Sequence, residues 1–137
     1  MNTRDQNVRT WSMLCHLSAL AGLLFSLGAV IGPLLVWQIK KNELPEIDPY
    51  GKESVNFQLT MLIVNIVASI IISAILGIGF GFGRMWGSPF SIFGGGFGLF
   101  GILALINIIA MILAVVAGIK ANNGEFYKYP FAIRFIK

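Results

Sequence analysis

Charge is scarce in this chain. Only 12% of its 137 residues are Asp, Glu, Lys or Arg, about half the share of an ordinary soluble domain. The scarcity is uneven: residues 10–39, 54–83 and 85–119 contain no charged side chain, leaving 95 positions in three uncharged runs. A soluble domain of this size cannot hide that much uncharged sequence, because its surface needs polar cover. A bilayer accepts it, since a spanning helix needs about 20 mostly apolar residues. The chain therefore reads as an integral membrane protein.

Other shortages narrow its function. A single cysteine, Cys15, excludes an internal disulfide framework. A single histidine, His16, cannot hold a metal with only a neighbouring cysteine, because structural and catalytic sites use three or four ligands. The net charge of +4 includes no basic run of the kind that binds nucleic acid. Glu43, Glu46, Asp48 and Glu53 sit in one polar loop without a partner histidine and read as solvated. No Ser-His-Asp set, catalytic carboxylate pair or phosphate loop is present. These shortages predict a non-enzymatic protein with no catalytic or metal-ligating residues, no cofactor and no small-molecule substrate. A cleavable signal peptide fits poorly, because only about eight residues separate Arg9 from the Ala19-Leu20-Ala21 triplet.

What is abundant is apolar sequence with glycine. Trp11 opens the first uncharged run and Trp37 nearly closes it, followed by Lys40 and Lys41. Tryptophan followed by lysine marks a membrane–water interface. Gly28, Gly32 and Pro33 lie inside the run and predict a break or kink near 28–33. Residues 40–54 form a polar loop, and a second helix starts near Val55, carrying Asn56, Gln58 and Asn65. Gly77 to Gly101 reads as a glycine-rich flexible connector. A last helix follows with Asn107 near its middle, and the tail from Lys120 is basic and aromatic.

The expected fold is all-α: a polytopic membrane bundle of about four helices in a single membrane domain, 1–137. Its helical segments fall at about 10–27, 29–41, 55–79 and 97–120. The first two form a broken hairpin over 10–39, and two full spans follow. The tail, 121–137, holds a short C-terminal interfacial helix starting after Pro130. Orientation follows from the basic residues. With 10–39 as one span, seven lysines and arginines lie inside against three outside; as a hairpin the tally is nine against one. Geometry pulls the other way. Thirty helical residues cover about 45 Å, whereas each hairpin arm reaches only about 20 Å of a core about 30 Å thick. Such arms must be buried against other helices. The hairpin, with both termini cytoplasmic, is the favoured arrangement, in a multi-pass protein of the cell (inner) membrane.

Several patterns invite a functional reading. Gly96-Phe97-Gly98-Leu99-Phe100-Gly101 matches a dinucleotide fingerprint but lacks the preceding strand and the later acid, so chance explains it. Small residues four apart recur at Gly28/Gly32, Gly77/Gly81, Gly79/Gly83, Gly94/Gly98 and Ala114/Gly118, a spacing that lets helices approach closely. Ala114/Gly118 carries the most weight because it lies within a well-defined helix, and internal packing is favoured over a dimer face. Asn65 and Asn107 sit near mid-depth and are expected to face inward, toward each other, as structural glue. His16 reads as a neutral imidazole bonded to Ser18, Asn56 or a backbone carbonyl.

An ordered set of elements then carries a resemblance. It comprises Trp11, His16-Leu17-Ser18, Gly22, Gly32-Pro33-Leu34, Trp37, Lys40-Lys41, Asp48-Pro49 and Lys52-Glu53. Asn56-Phe57-Gln58, Lys120-Ala121, Gly124-Glu125 and Tyr129-Pro130 complete it. The chain resembles, over nearly its full length, a family of small prokaryotic multi-pass membrane proteins of unknown function. That family is described as similar to the channel subunit of the chloroplast inner-envelope (Tic) translocon. The resemblance implies about four helices with both termini on one side, and it supplies no reaction. The expected partners are the lipid bilayer and a membrane protein or a second copy of the chain. The leading expectation is an accessory or assembly subunit, and the alternative is a component of a transport or protein-translocation conduit. The interface or structural candidates are His16, Gly32, Pro33, Trp37, Asn56, Gln58, Asn65, Asn107, Tyr129 and Pro130.

Overall fold

The computed structural model describes residues 1–25, 27–75 and 89–137, with backbone only for residue 73 and residues 89–100. The described residues are helical with no strand. They form α1 (Thr3–Leu17), α2 (Gly28–Lys40), α3 (Asp48–Ile75) and α4 (Pro89–Asn122), with short 3-10 segments at Ser18–Leu23 and Pro45–Ile47. They divide into two compact units, one of Met1–Thr60 with Ala110–Lys137 and the other of Met61–Ile109.

In the first unit, α1 starts ahead of the apolar run because Asn2 caps it, its side chain accepting the Asp5 backbone N–H at 2.8 Å. The chain leaves α1 through the 3-10 segment and turns back into α2, so 10–39 is a broken hairpin. The break falls before Gly28, and α2 runs on through Pro33. Glycines close the hairpin. A Cβ on Gly32 would collide with the Ser18 carbonyl, and one on Gly28 with that of Ala21. The outer stripe of α2, Ile31, Leu35 and Ile39, stays exposed, as do Leu23, Leu24 and Leu27 around the turn.

The polar loop is shorter than the composition suggests. Asp48 followed by Pro49 is a helix-start signal, so α3 begins at Asp48 and takes in Lys52 and Glu53. Asp48 pairs with Lys52 one turn on at 2.6 Å. Residues 53–58 are buried all round, so this stretch of α3 forms the centre of the unit. Trp37 lies on the α3 backbone where Gly51 leaves room, and its indole N–H donates to Asp48 at 3.0 Å. Cys15, Trp37, Leu44, Ile47 and Val55 form the apolar core. α4 presents Ala110, Ala114, Ala117 and Ala121 inward, a buried stripe of helical spacing. A Cβ on Gly118 would press on the Leu17 side chain at 3.0 Å, so Ala114/Gly118 serves packing within the chain.

In the second unit, α3 and α4 carry exposed Ile63, Ile66, Val67 and Ile70, and Ile102, Leu105, Ile108 and Ile109. Two segments, Pro45–Ile72 and Gly101–Asn122, are long and apolar enough to cross a membrane. Only 28% and 22% of their most apolar windows are buried, which distinguishes them from the core helices of a soluble protein. An apolar surface of this extent needs an apolar solvent.

Two expectations are corrected. The glycine-rich stretch read as a connector up to Gly101 is helical from Pro89 onward, so the dinucleotide-like motif lies within α4 and not after a strand. Helical pairing keeps every backbone polar group satisfied at membrane depth, which outweighs glycine's low propensity. The Gly77/Gly81 and Gly79/Gly83 pairs lie outside the described residues. The C-terminal segment is also not a helix: residues 125–137 are irregular, with a turn at 130–131 and a bend at 135. Its backbone N–H groups go to α3 side chains, and Phe131 has φ of 63°, which ends any helix after Pro130.

Candidate functional site

The most organised polar cluster lies where the C-terminal tail meets α3. Glu53, Asn56 and Thr60 are spaced i, i+3 and i+7, which puts them on one helix face. Each accepts a backbone N–H from the tail. Glu53 Oε1 takes that of Tyr129 at 2.8 Å, Thr60 Oγ1 that of Ile133 at 2.9 Å, and Asn56 Oδ1 that of Ile136 at 2.8 Å. Asn56 Nδ2 also donates to the Ile136 carbonyl at 2.8 Å, so one amide pairs with the peptide groups of Ile136 as a neighbouring strand would. Thr60 donates its own proton to the Asn56 carbonyl at 2.8 Å. The second oxygen of Glu53 accepts from Arg134 at 3.2 Å.

Tyr129 is the tail's anchor. Its ring stacks on Phe57 with centroids 4.0 Å apart and planes 9° off parallel. Its hydroxyl meets His16 Nδ1 at 3.0 Å. This ties α1 to the tail, and Ser54 ties α1 to α3 by donating to the Cys15 carbonyl at 2.7 Å. The tail reaches this position by a sharp turn after α4. Gly124 adopts φ of 82°, and the Glu125 N–H closes back on the Lys120 carbonyl at 2.9 Å, the glycine-terminated helix end.

Burial shapes the cluster. His16 is fully buried, and its Nδ1 is the ring nitrogen that meets Tyr129. Burial raises the Tyr129 hydroxyl above its usual range, helped by Tyr127 and Glu53. The Cys15 thiol is fully buried and so shielded from reagents. Among the described residues, two buried polar atoms, Ser12 Oγ and His16 Nε2, have no hydrogen-bond partner. A cleft of about 260 Å3 beside α1 is lined by Asp5, Arg9, Ser12, Glu46 and Tyr50, among others, and Arg4 pairs with Glu46 at 2.8 Å. Among the described residues, no three His, Cys, Asp or Glu side chains converge.

The structure gathers some of the sequence candidates and separates others. His16, Asn56 and Tyr129 meet in the tail cluster, with His16 bonded to Tyr129 and not to Ser18 or Asn56. Pro130 is exposed beside them and Gln58 is buried nearby in α3. Gly32, Pro33 and Trp37 belong to the α2 arm. Asn65 and Asn107 form a separate clamp in the second unit: they meet as expected, but Asn107 is exposed and Asn65 only partly buried, so the pair does not face inward. Asn107 Nδ2 donates to Asn65 Oδ1 at 2.9 Å, and Asn65 Nδ2 reaches Asn107 Oδ1 at 3.4 Å. Each amide also donates to the carbonyl four residues back, Met61 and Leu103. Glu53, Ser54 and Thr60 are the residues that sequence reasoning missed. Glu53, taken for a solvated loop acid, is only 4% exposed and holds the tail.

No curated protein and no solved structure matches the chain. A family model does, across the hairpin, both long helices and the tail as far as Ile136. Over residues 7–136 the sequence matches the MamF/MmsF family, described as the magnetosome magnetite crystal formation protein family, and this membrane protein belongs to it.

Proposed function

We propose that the chain is a non-enzymatic accessory or assembly subunit, acting by helix packing against other components of its membrane. In a family described by magnetite crystal formation, that role is the organisation of membrane partners around the growing crystal. The observation that carries this reading is the mutual pairing of two amides within the apolar helices. All four amide hydrogens of Asn65 and Asn107 are spent within the chain, which suits a scaffold. The surface left for contact is apolar. α4 holds five glycines between Pro89 and Gly101, and Gly101 faces open space. Each glycine costs a helix about 1 kcal/mol relative to alanine, and close approach by another helix offsets that cost. The partner is another membrane protein or a second copy of this chain. The chain is multi-pass, with both termini on the cytoplasmic side where its basic residues cluster.

Chemical crosslinking in native membranes, read by mass spectrometry, tests this. A reproducible protein partner or self-crosslink is the expected result, and a chain crosslinked to nothing contradicts it.

The second reading is a transport or protein-translocation conduit, favoured by two amides within apolar helices; the family match carries no support for the Tic likeness. It predicts conductance or solute flux in liposomes holding the folded protein. Flux that changes in Asn65→Leu or Asn107→Leu variants would favour it over the assembly reading.

A further inference from the structure

The tail exposes a surface that packing within the chain does not explain. Phe131 is 94% exposed, and among the described residues it is the only non-glycine with positive φ, at 63°. A bulky side chain rarely adopts that conformation unless its surroundings impose it. Here the latch imposes it. The N–H groups on either side, of Tyr129 and Ile133, are fixed to Glu53 and Thr60 on α3, which turns the Phe131 ring outward. Elsewhere in the tail, Phe126, Ile133 and Phe135 are about half exposed. From Phe126 to Lys137 the tail has three basic residues, Lys128, Arg134 and Lys137, and no acidic one. The Ile133 N–H is fixed at Thr60, seven residues beyond Glu53, the last charge of α3. That is about 10 Å along the helix into its uncharged part.

We propose that this tail is a lipid-binding hook, with the latch holding Phe131 and its neighbours in the boundary between headgroups and acyl chains. Lys128 and Lys137 meet the phosphates of anionic lipids in the same leaflet. A lipid leaflet is the occupant best matched to the surface: Arg134 is paired with Glu53, but exposed aromatics beside Lys128 and Lys137 are the composition of interfacial segments. Charge at such positions is worth roughly fivefold in anionic-membrane association per basic residue. The inference does not rest on the assembly role and stands if the chain has no protein partner.

The test uses the full-length chain in nanodiscs, with a nitroxide placed on Phe131→Cys or, separately, on Lys128→Cys. Cys15 is fully buried and stays unlabelled, and its protection from maleimide reports that each variant is folded. At position 131 oxygen is expected to relax the label more than a water-soluble nickel chelate does. At position 128 the order reverses. Moving from phosphatidylcholine to about 30% phosphatidylglycerol deepens the label at 131. Lys128→Glu with Lys137→Glu lowers the phosphatidylglycerol retained by the purified protein at least about twofold. The proposal is overturned if the label at 131 is open to the nickel chelate in both lipids. It is equally overturned if that label becomes shielded only when a second protein or a second copy is bound.

Discussion

Asn56 shows how one side chain can stand in for a strand. Its amide satisfies both the N–H and the carbonyl of Ile136, so Asn56→Ala leaves two tail backbone groups unpaired. Loss of this pairing is expected to cost about 1–3 kcal/mol, measurable as a lowered unfolding midpoint in detergent. Glu53→Ala should cost a similar amount, whereas Glu53→Gln retains an acceptor for Tyr129 and loses less. Cys15 offers a check on the core: its thiol should resist maleimide in the folded protein and react fully once denatured. At this scale the sequence was partly legible. His16, Asn56 and Tyr129 stood out as polar or aromatic residues in unusual places. Their meeting did not, because His16 and Tyr129 lie 113 residues apart and a side chain bonding to a distant backbone leaves no spacing pattern. Glu53 was obscured by neighbouring acids that do face water, although its i, i+3, i+7 relation to Asn56 and Thr60 was present to be read.

At the scale of elements, the α1–α2 hairpin depends on glycines where the two arms touch. Gly32→Val forces a side chain into the Ser18 carbonyl and is expected to destabilise the fold by about 1–3 kcal/mol. The same change at Gly101, which faces open space, should leave stability in detergent nearly unchanged. Comparing the two unfolding midpoints checks this contrast. The hairpin was foreseeable from the tally of basic residues, against the length argument, because its short arms pack on the start of α3. The early start of α3 was signalled by Asp48-Pro49 but masked by the loop's charge. The helix through Gly94–Gly98 was not legible from composition, since glycine reads as a breaker in water and not where every backbone group must be paired internally. The tail misled in the opposite sense: Pro130 suits a helix start, but α3 captures the N–H groups that a helix would need.

For the whole molecule, two side-chain contacts tie distant parts of the chain together, His16 to Tyr129 and Asn65 to Asn107. The Asn65–Asn107 clamp is expected to give a coupling of about 0.6–2 kcal/mol in a double-mutant cycle. The central claim is that the apolar helical surface is a contact face while the Asn65 and Asn107 amides pair within the chain. Single photo-crosslinking side chains in native membranes test it most directly, one at Leu105, 62% exposed, and one at Ala114, 1% exposed. The account predicts a discrete protein adduct from position 105 and only intramolecular products from position 114. Lipid adducts alone from position 105, in correctly folded protein, would contradict it.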